Sequence, residues 1–290
     1  VSRRLFSELH PVTYAISVQK MRFIRRVHNW VHRASFARQD HSQELPVLIY
    51  RHNSLIRRTL GNTATELQDN KAVSLGIAAP KVDRVVIRPG ETFSFWRLLG
   101  TISRSKGYRD GVVISAGRAE SGVGGGMCQF TNLIHWMVLH SPLTIVEHHH
   151  HGEFDLFPDF NRQIPFGTGT SIVQNYLDYR FRNDTEQSFQ LLISVTEEYL
   201  RGELRADSAL PLKYHVREKD AYFYRSAGKV YRHNKVTRTA TDRRTGNQVL
   251  DELLLENDAV VCYDPALINS PILDERPYAN LEFVEESRIR

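Results

Sequence analysis

The sequence predicts an α+β protein. It should have a β-rich antiparallel core domain, a glycine loop and helix carrying a cysteine, and a basic N-terminal helix ahead of both. Three observations predict this. The second half places short runs of β-branched and aromatic residues about ten residues apart, with turn signals between them. Residues 12–33 repeat apolar side chains at three- and four-residue spacing, with arginines between. Between these two regions, three consecutive glycines run into a cysteine and then into a helical apolar pattern.

The elements follow in order. Val12, Ile16, Phe23, Ile24, Val27, Trp30 and Val31 form the apolar stripe of the first helix, with Arg22, Arg25, Arg26 and Arg33 interleaved. Two readings stay open: a basic helix packed on the domain, or an amphipathic helix on an anionic membrane surface with Trp30 at the interface. A nucleic-acid arm is a third and weaker reading. Ala37–Glu44 is a polar break, and Arg57–Gly61 reads as the end of a short helix with a glycine stop. After Pro80, Asp83–Arg88 is strand-like, Pro89-Gly90 is a turn, and Thr92–Phe95 and Val112–Ser115 return to β character. Leu143–Val146, Ile172–Phe181, Phe189–Val195, Leu200–Leu204, Tyr222–Tyr224, Val230–Val236, Val249–Leu255 and Ala259–Tyr263 read as further strands. The expected organisation is a basic helical segment over 1–44, a main domain over 45–265 and a charged tail over 266–290.

Composition bounds the function classes. With 290 residues, 41% hydrophobic and 24% charged, the chain can build a core without staples. Two cysteines, Cys128 and Cys262, exclude a disulfide scaffold. Cys262, in an apolar strand, is expected to be a core residue. No run of 18 apolar residues exists, and no charged-then-apolar leader opens the chain. As it stands, the chain is expected in the cytoplasm or peripheral to the inner membrane face, and outside the membrane if a leader precedes Val1. The net charge of +5 is uneven. Residues 1–60 hold 11 Lys+Arg against 3 Asp+Glu, which leaves the other 230 residues at −3. The main domain is therefore not expected to bind nucleic acid.

The informative stretch is Gly122-Val123-Gly124-Gly125-Gly126-Met127-Cys128-Gln129. Glycines allow close approach of a ligand, so Gly124, Gly125, Gly126 and Gln129 are candidates to line a substrate site. Apolar residues at 130, 133, 134, 137 and 138 place a helix start at or just before Cys128. Free backbone amides there favour a thiolate and can bind an oxyanion. The alternatives are a small core cysteine or a metal ligand. His135 lies two turns on, ~10.5 Å of rise away, too far for a direct hydrogen bond. Asn132 lies one turn on but cannot act as a base.

The run Glu147-His148-His149-His150-His151 is the better source of a base. If the preceding strand continues, Glu147, His149 and His151 share one face, and His148 and His150 the other. One imidazole could then face the thiol while the carboxylate orients a ring. A solvated loop is the plain alternative. Cys128 with His149 and His151 could also bind zinc as the open site of a zinc-dependent hydrolase, helped by Glu153, Asp155 or Asp159, although the spacing fits no compact metal motif. No metal or other cofactor is expected. Residues 157–170 read as a binding loop, in which Arg162 could clamp a substrate carboxylate or pair with Asp159 or Asp155. Asp178 could be structural or could orient a histidine.

Together these motifs resemble the VanW family. They are Pro89-Gly90-Glu91-Thr92-Phe93-Ser94-Phe95-Trp96, Gly107-Tyr108, Gly124-Gly125-Gly126-Met127-Cys128-Gln129 and the Glu147–His151 run. The resemblance extends from about Leu45 to about Tyr263. The family's Glu-Arg-His-x-His motif singles out Glu147, His149 and His151, with His148 where arginine is usual. The family's Gly-x-Asp-Ala-Thr segment matches Gly167-Thr168-Gly169-Thr170-Ser171 without the aspartate, so its role falls to Asp155 or Asp178 or is not performed here. The resemblance implies a cysteine L,D-transpeptidase-like acyl transfer on a peptidoglycan stem peptide or precursor. Cys128 would be the nucleophile, His149 or His151 the base, and Glu147 its orienter. It also leaves open a non-catalytic accessory role of the glycopeptide-resistance type at the inner membrane face.

Overall fold

The computed structural model describes residues 10–32, 35–57, 65–115, 118–150, 152–159, 162–174 and 176–277. Helix α1 spans Pro11–Val31. Pro11 suits the first helical position, and the His10 ring accepts the Val12 amide. Strands β1 (Arg38–Gln39) and β2 (Val47–Leu55) follow, then helix α2 (Thr65–Val82). Next come β3 (Val85–Ile87), β4 (Thr92–Ser94) and the short helix α3 (Phe95–Leu99). The hairpin β5 (Asp110–Ser115) and β6 (Arg118–Val123) leads into helix α4 (Met127–Leu139). Strands β7 (Thr144–Glu147), β8 (Phe154–Asp155) and β9 (Arg180–Arg182) are short. Strands β10 (Phe189–Val195) and β11 (Tyr199–Ala206) form a hairpin. The long strands β12 (Leu212–Ser226), β13 (Lys229–Asp242) and β14 (Gln248–Val261) then form a meander, and β15 (Ile272–Leu273) closes the series.

The chain is thus mixed α+β with a β-rich, mainly antiparallel core. The central sheet has the order β1-β3-β10-β11-β2, antiparallel throughout. One face carries Leu191, Ile193, Leu200 and Leu204, all buried against α2 and α4. The other face shows Arg51, Asn53, Arg201 and Arg205 to an open polar depression. One covered face and one wet face are what an antiparallel sheet tolerates. At Gly202 a β-carbon would lie 2.7 Å from Met137 Cε, so glycine lets α4 press onto β11.

Helix α4 is buried nearly all round, including Phe130, Leu133, Ile134, Met137 and Val138, so it acts as the central pillar of the core. Helix α2 buries a half-polar stripe of Gln68, Lys71, Ser74, Leu75, Ala78 and Val82; Ser74 Oγ accepts the Arg109 amide and Lys71 lies against Gly126. The second sheet, β15-β12-β13-β14-β8, has antiparallel hairpins at its centre and short parallel strands at both edges. Its first tight turn carries Ala227 and Gly228, both at positive φ. The three-stranded sheet β4-β9-β7 is held by the Phe93–Phe181 stack at 4.7 Å.

Some expectations need correction. Strand β2 ends at Leu55, and Arg57, expected in the last turn of a short helix, follows it in a bend. Residues 58–61, on which the glycine stop was expected, lie outside the described residues. Of Ile172–Phe181 only the last two residues belong to a strand, β9; Val173 and Leu177 make one isolated bridge. Cys262 is exposed, not a core residue: it follows the end of β14, and its thiol donates to the Val260 carbonyl. Phe36 and Ala37 are buried, and β1 belongs to the central sheet, so the packed fold begins before Leu45.

Candidate functional site

Cys128 is the second residue of α4. Gly126 caps that helix at φ 99°, without a side-chain cap hydrogen bond. The three glycines answer to close packing. A β-carbon on Gly125 would lie 2.3 Å from the Gly111 backbone, and one on Gly126 would lie 2.4 Å from Lys71 Cγ. Gly124 takes φ 80° and donates its amide to the Arg109 carbonyl. Gln129 turns toward β2, donating to Ser54 Oγ at 2.9 Å and to the Leu55 carbonyl at 2.8 Å.

The irregular segment at 164–172 is strung between the hairpin sheet and α4. At one end, Asn234 and Asn257 both donate to the Phe166 carbonyl, at 3.0 and 3.2 Å. At the other end, the Thr170 amide and hydroxyl donate to Asn132 Oδ1, at 2.6 and 2.8 Å. The Thr170 hydroxyl also touches the Thr131 hydroxyl and lies 3.5 Å from the Cys128 carbonyl. Asn132, one turn after Cys128, therefore anchors this irregular segment beside the start of α4.

The electrostatics of the thiol depart from the helix-start expectation. Cys128 keeps some exposed surface. Burial nevertheless pushes its thiol above the usual range, and the Ile172 amide and its own amide pull it back only in part. Desolvation outweighs the two amides here. Among the described residues, no hydrogen bond joins Cys128 Sγ to a histidine ring.

Strand β7 ends at Glu147, so His148, His149 and His150 follow it outside a strand. His148 and His150 lie on one side, their rings 5.7 Å apart. His148 stacks on His135 of α4 at 4.3 Å, and its Nε2 lies 3.1 Å from the Gly169 carbonyl. A carbonyl only accepts, so Nε2 carries the proton and Nδ1 keeps a lone pair. Burial lowers the His148 pKa to about 4, with the Gly169 bond opposing and His150 and His149 adding to the fall. His135 is buried and also held well below its usual range, and its Nδ1 lies 3.1 Å from the Tyr179 hydroxyl. Both rings are neutral at pH 7.

Glu147 and His149 lie on the other side, His149 Nε2 3.3 Å from Glu147 Oε1. Glu147 is engaged elsewhere as well. Arg25 of α1 grips both its oxygens, Arg180 stands 3.5 Å away, and the Asp178 amide donates to it at 2.8 Å. Burial pushes the Glu147 carboxyl up, but these partners outweigh it and hold the group below the usual carboxylate range. His151 lies outside the described residues. Arg162 pairs with Asp159, whose other oxygen meets Arg232. Asp155 is buried against Arg232 and the Tyr263 hydroxyl. Asp178 is buried and accepts from Ser94 Oγ, the Trp96 amide and Arg180. Among the described residues, no three His, Cys, Asp or Glu side chains converge as a metal set.

The structure thus brings Cys128 next to Thr170 and Asn132, and His148 next to Gly169 and His135. It places Glu147 and His149 on the side of α1. Sequence reasoning missed Thr170 and His148. A signal for the first was that its segment is the one matching the family's downstream motif.

The family profile described as VanW like protein matches residues 70–205. The vancomycin B-type resistance protein VanW of Enterococcus faecalis (strain ATCC 700802 / V583) is 34% identical over 196 residues, covering 68% of this chain and 71% of that protein. The uncharacterized protein YoaR of Bacillus subtilis (strain 168) is 30% identical over 121 residues, covering 41% of this chain and 37% of its own. No solved structure matches. The matched span runs from α2 through the glycine loop, α4 and the histidine run to β11, and the chain belongs to the VanW family.

Proposed function

We propose that this protein is a cysteine-dependent acyltransferase acting on peptidoglycan stem peptides or their precursors, in the glycopeptide-resistance setting that its enterococcal relative's name denotes. One observation carries the reading: Cys128 stands at the start of a helix with no side-chain cap, beside an irregular segment pinned by Asn132. Amides of the first turn of α4 suit a developing oxyanion, and the segment at 164–172 can present a peptide to the thiol.

In the forward half-reaction, Cys128 Sγ attacks the carbonyl carbon of the scissile peptide bond as an imidazole of the 148–151 run accepts the thiol proton. The C–N bond breaks, the imidazolium returns that proton to the leaving amine, and a thioester remains. An acceptor amine then attacks the thioester carbonyl, loses a proton to the imidazole and releases the thiol. Burial raises the Cys128 pKa, which suits removal of the thiol proton in the attack step itself.

A second reading rests on the same raised pKa and the lack of a bonded imidazole among the described residues. In it the protein is a non-catalytic accessory that binds the same peptides. Incubation with a stem tetrapeptide and an acceptor amine separates the two. The acyltransferase gives cross-linked product and a Cys128 thioester by mass, both lost in Cys128→Ala. Undiminished peptide binding in that variant, with no product from the wild type, establishes the accessory role instead.

A further inference from the structure

Helix α1 meets the domain with its polar side and turns its apolar side outward. Arg25 bonds Glu147 and, at 2.8 Å, the Tyr176 carbonyl, and Asn29 Oδ1 accepts from Arg180 at 2.8 Å. Arg25 and Asn29 are one turn apart, so this contact defines the inward side. On the opposite side Val12, Ile16, Phe23, Val27 and Trp30 fall within roughly 60° of one another. Phe23 is 65% exposed, Trp30 66%, Val12 58% and Ile16 53%. A helix docked on its own domain normally does the reverse, burying apolar area and leaving charge in water.

The charges say what covers the stripe. The helix has Lys20, Arg22, Arg25 and Arg26 and no acidic residue. Lys20 and Arg26 are exposed and bracket the stripe, one on each side. Another protein would need a matching acidic rim around an apolar groove. An anionic bilayer offers both at once, an apolar interior beneath a negatively charged surface. No helix among the described residues is long and apolar enough to cross a membrane. An in-plane position is what this helix fits.

We propose that α1 seats the protein on anionic lipid, its Val12–Trp30 stripe in the acyl boundary and Lys20 and Arg26 at the headgroups. The Arg25–Glu147 grip and the Asn29–Arg180 bond then fix the domain against the bilayer. The helix is thereby tied to the residue that opens the histidine run. The inference is independent of whether Cys128 is catalytic.

The test uses the full chain with phosphatidylcholine vesicles, with and without phosphatidylglycerol. Of the three tryptophans, Trp96 and Trp136 are buried, so a change in emission reports Trp30. The wild type should float with the anionic vesicles, shift its emission to the blue and be quenched by brominated lipid. Phe23→Asp with Trp30→Asp should bind about tenfold or more weakly. Lys20→Glu with Arg26→Glu should weaken binding by a similar factor and flatten its salt dependence. All four positions are exposed, so the thermal transition of the domain should stay put. Failure of the wild type to bind, equal binding by both double variants, or a dimer in light scattering that the aspartates dissociate without any vesicle binding would each overturn the proposal.

Discussion

Arg25 holds the Glu147 carboxylate through two parallel hydrogen bonds, at 2.5 and 2.7 Å, across 122 residues of sequence. Both side chains are mostly buried, 22% and 16% exposed. Bidentate geometry and partial desolvation make this pair worth more than a surface ion pair. It joins α1 to the strand that leads into the histidines.

Arg25→Ala should therefore release α1 at a cost of about 2 kcal/mol in helix docking. Amide exchange over residues 11–31 should quicken while the β10–β11 amides keep their protection. Unchanged exchange in α1 would mean that the grip does not hold the helix.

Acid should act in two stages. His148 and His140 are both lowered to about 4, chiefly by burial, and burial also holds His135 well below its usual range. A base with a depressed folded pKa contributes stability that is complete above its unfolded value, near 6.5, and lost as pH falls toward the folded value. The loss is on the order of 3 kcal/mol each for His148 and His140. The Glu147 carboxyl is held below its ordinary range, so its contribution goes only at lower pH, as the carboxylate protonates. Thermal transitions measured from pH 7 downward should begin to fall near pH 6.5, with α1 exchange unchanged at first. A transition that is flat to pH 4.5 would contradict the neutral, buried rings.

The glycine loop and Gln129 should separate from the chemistry. Gly125→Ala drives a β-carbon into the Gly111 backbone and should cost about 3 kcal/mol or more. Gln129→Ala removes two hydrogen bonds to β2 and should cost about 1–2 kcal/mol, measured by denaturant unfolding. With enough folded protein, the Gln129 variant should retain turnover that Cys128→Ala lacks. A folded Gln129 variant with no turnover would place Gln129 at the substrate instead.

Much of the fold was legible where chemistry and period coincide. Strands β10, β13 and β14 carry β-branched runs between turn residues such as Gly228 and Gly246, and those signals are local. Helix α2 escaped notice because half of its buried stripe is Gln68, Lys71 and Ser74, which blurs the apolar period. Cys128 was legible from its glycines. Its raised pKa was not, since the burial that raises it exists only in the folded chain, where the Ile172 amide opposes it only in part. In the histidine run, alternation separates His148 from Glu147 and His149. Which side meets α4 depends on tertiary packing, and here it is His148 that stacks on His135.

The central claim is that Cys128 is a nucleophile. Its most direct test is the intact mass of the wild type after exposure to a carbapenem, with the adduct located by peptide mapping. The account predicts one acyl adduct on Cys128, absent in Cys128→Ala, with exposed Cys262 unmodified. An unchanged mass, or the same adduct in Cys128→Ala, would contradict it.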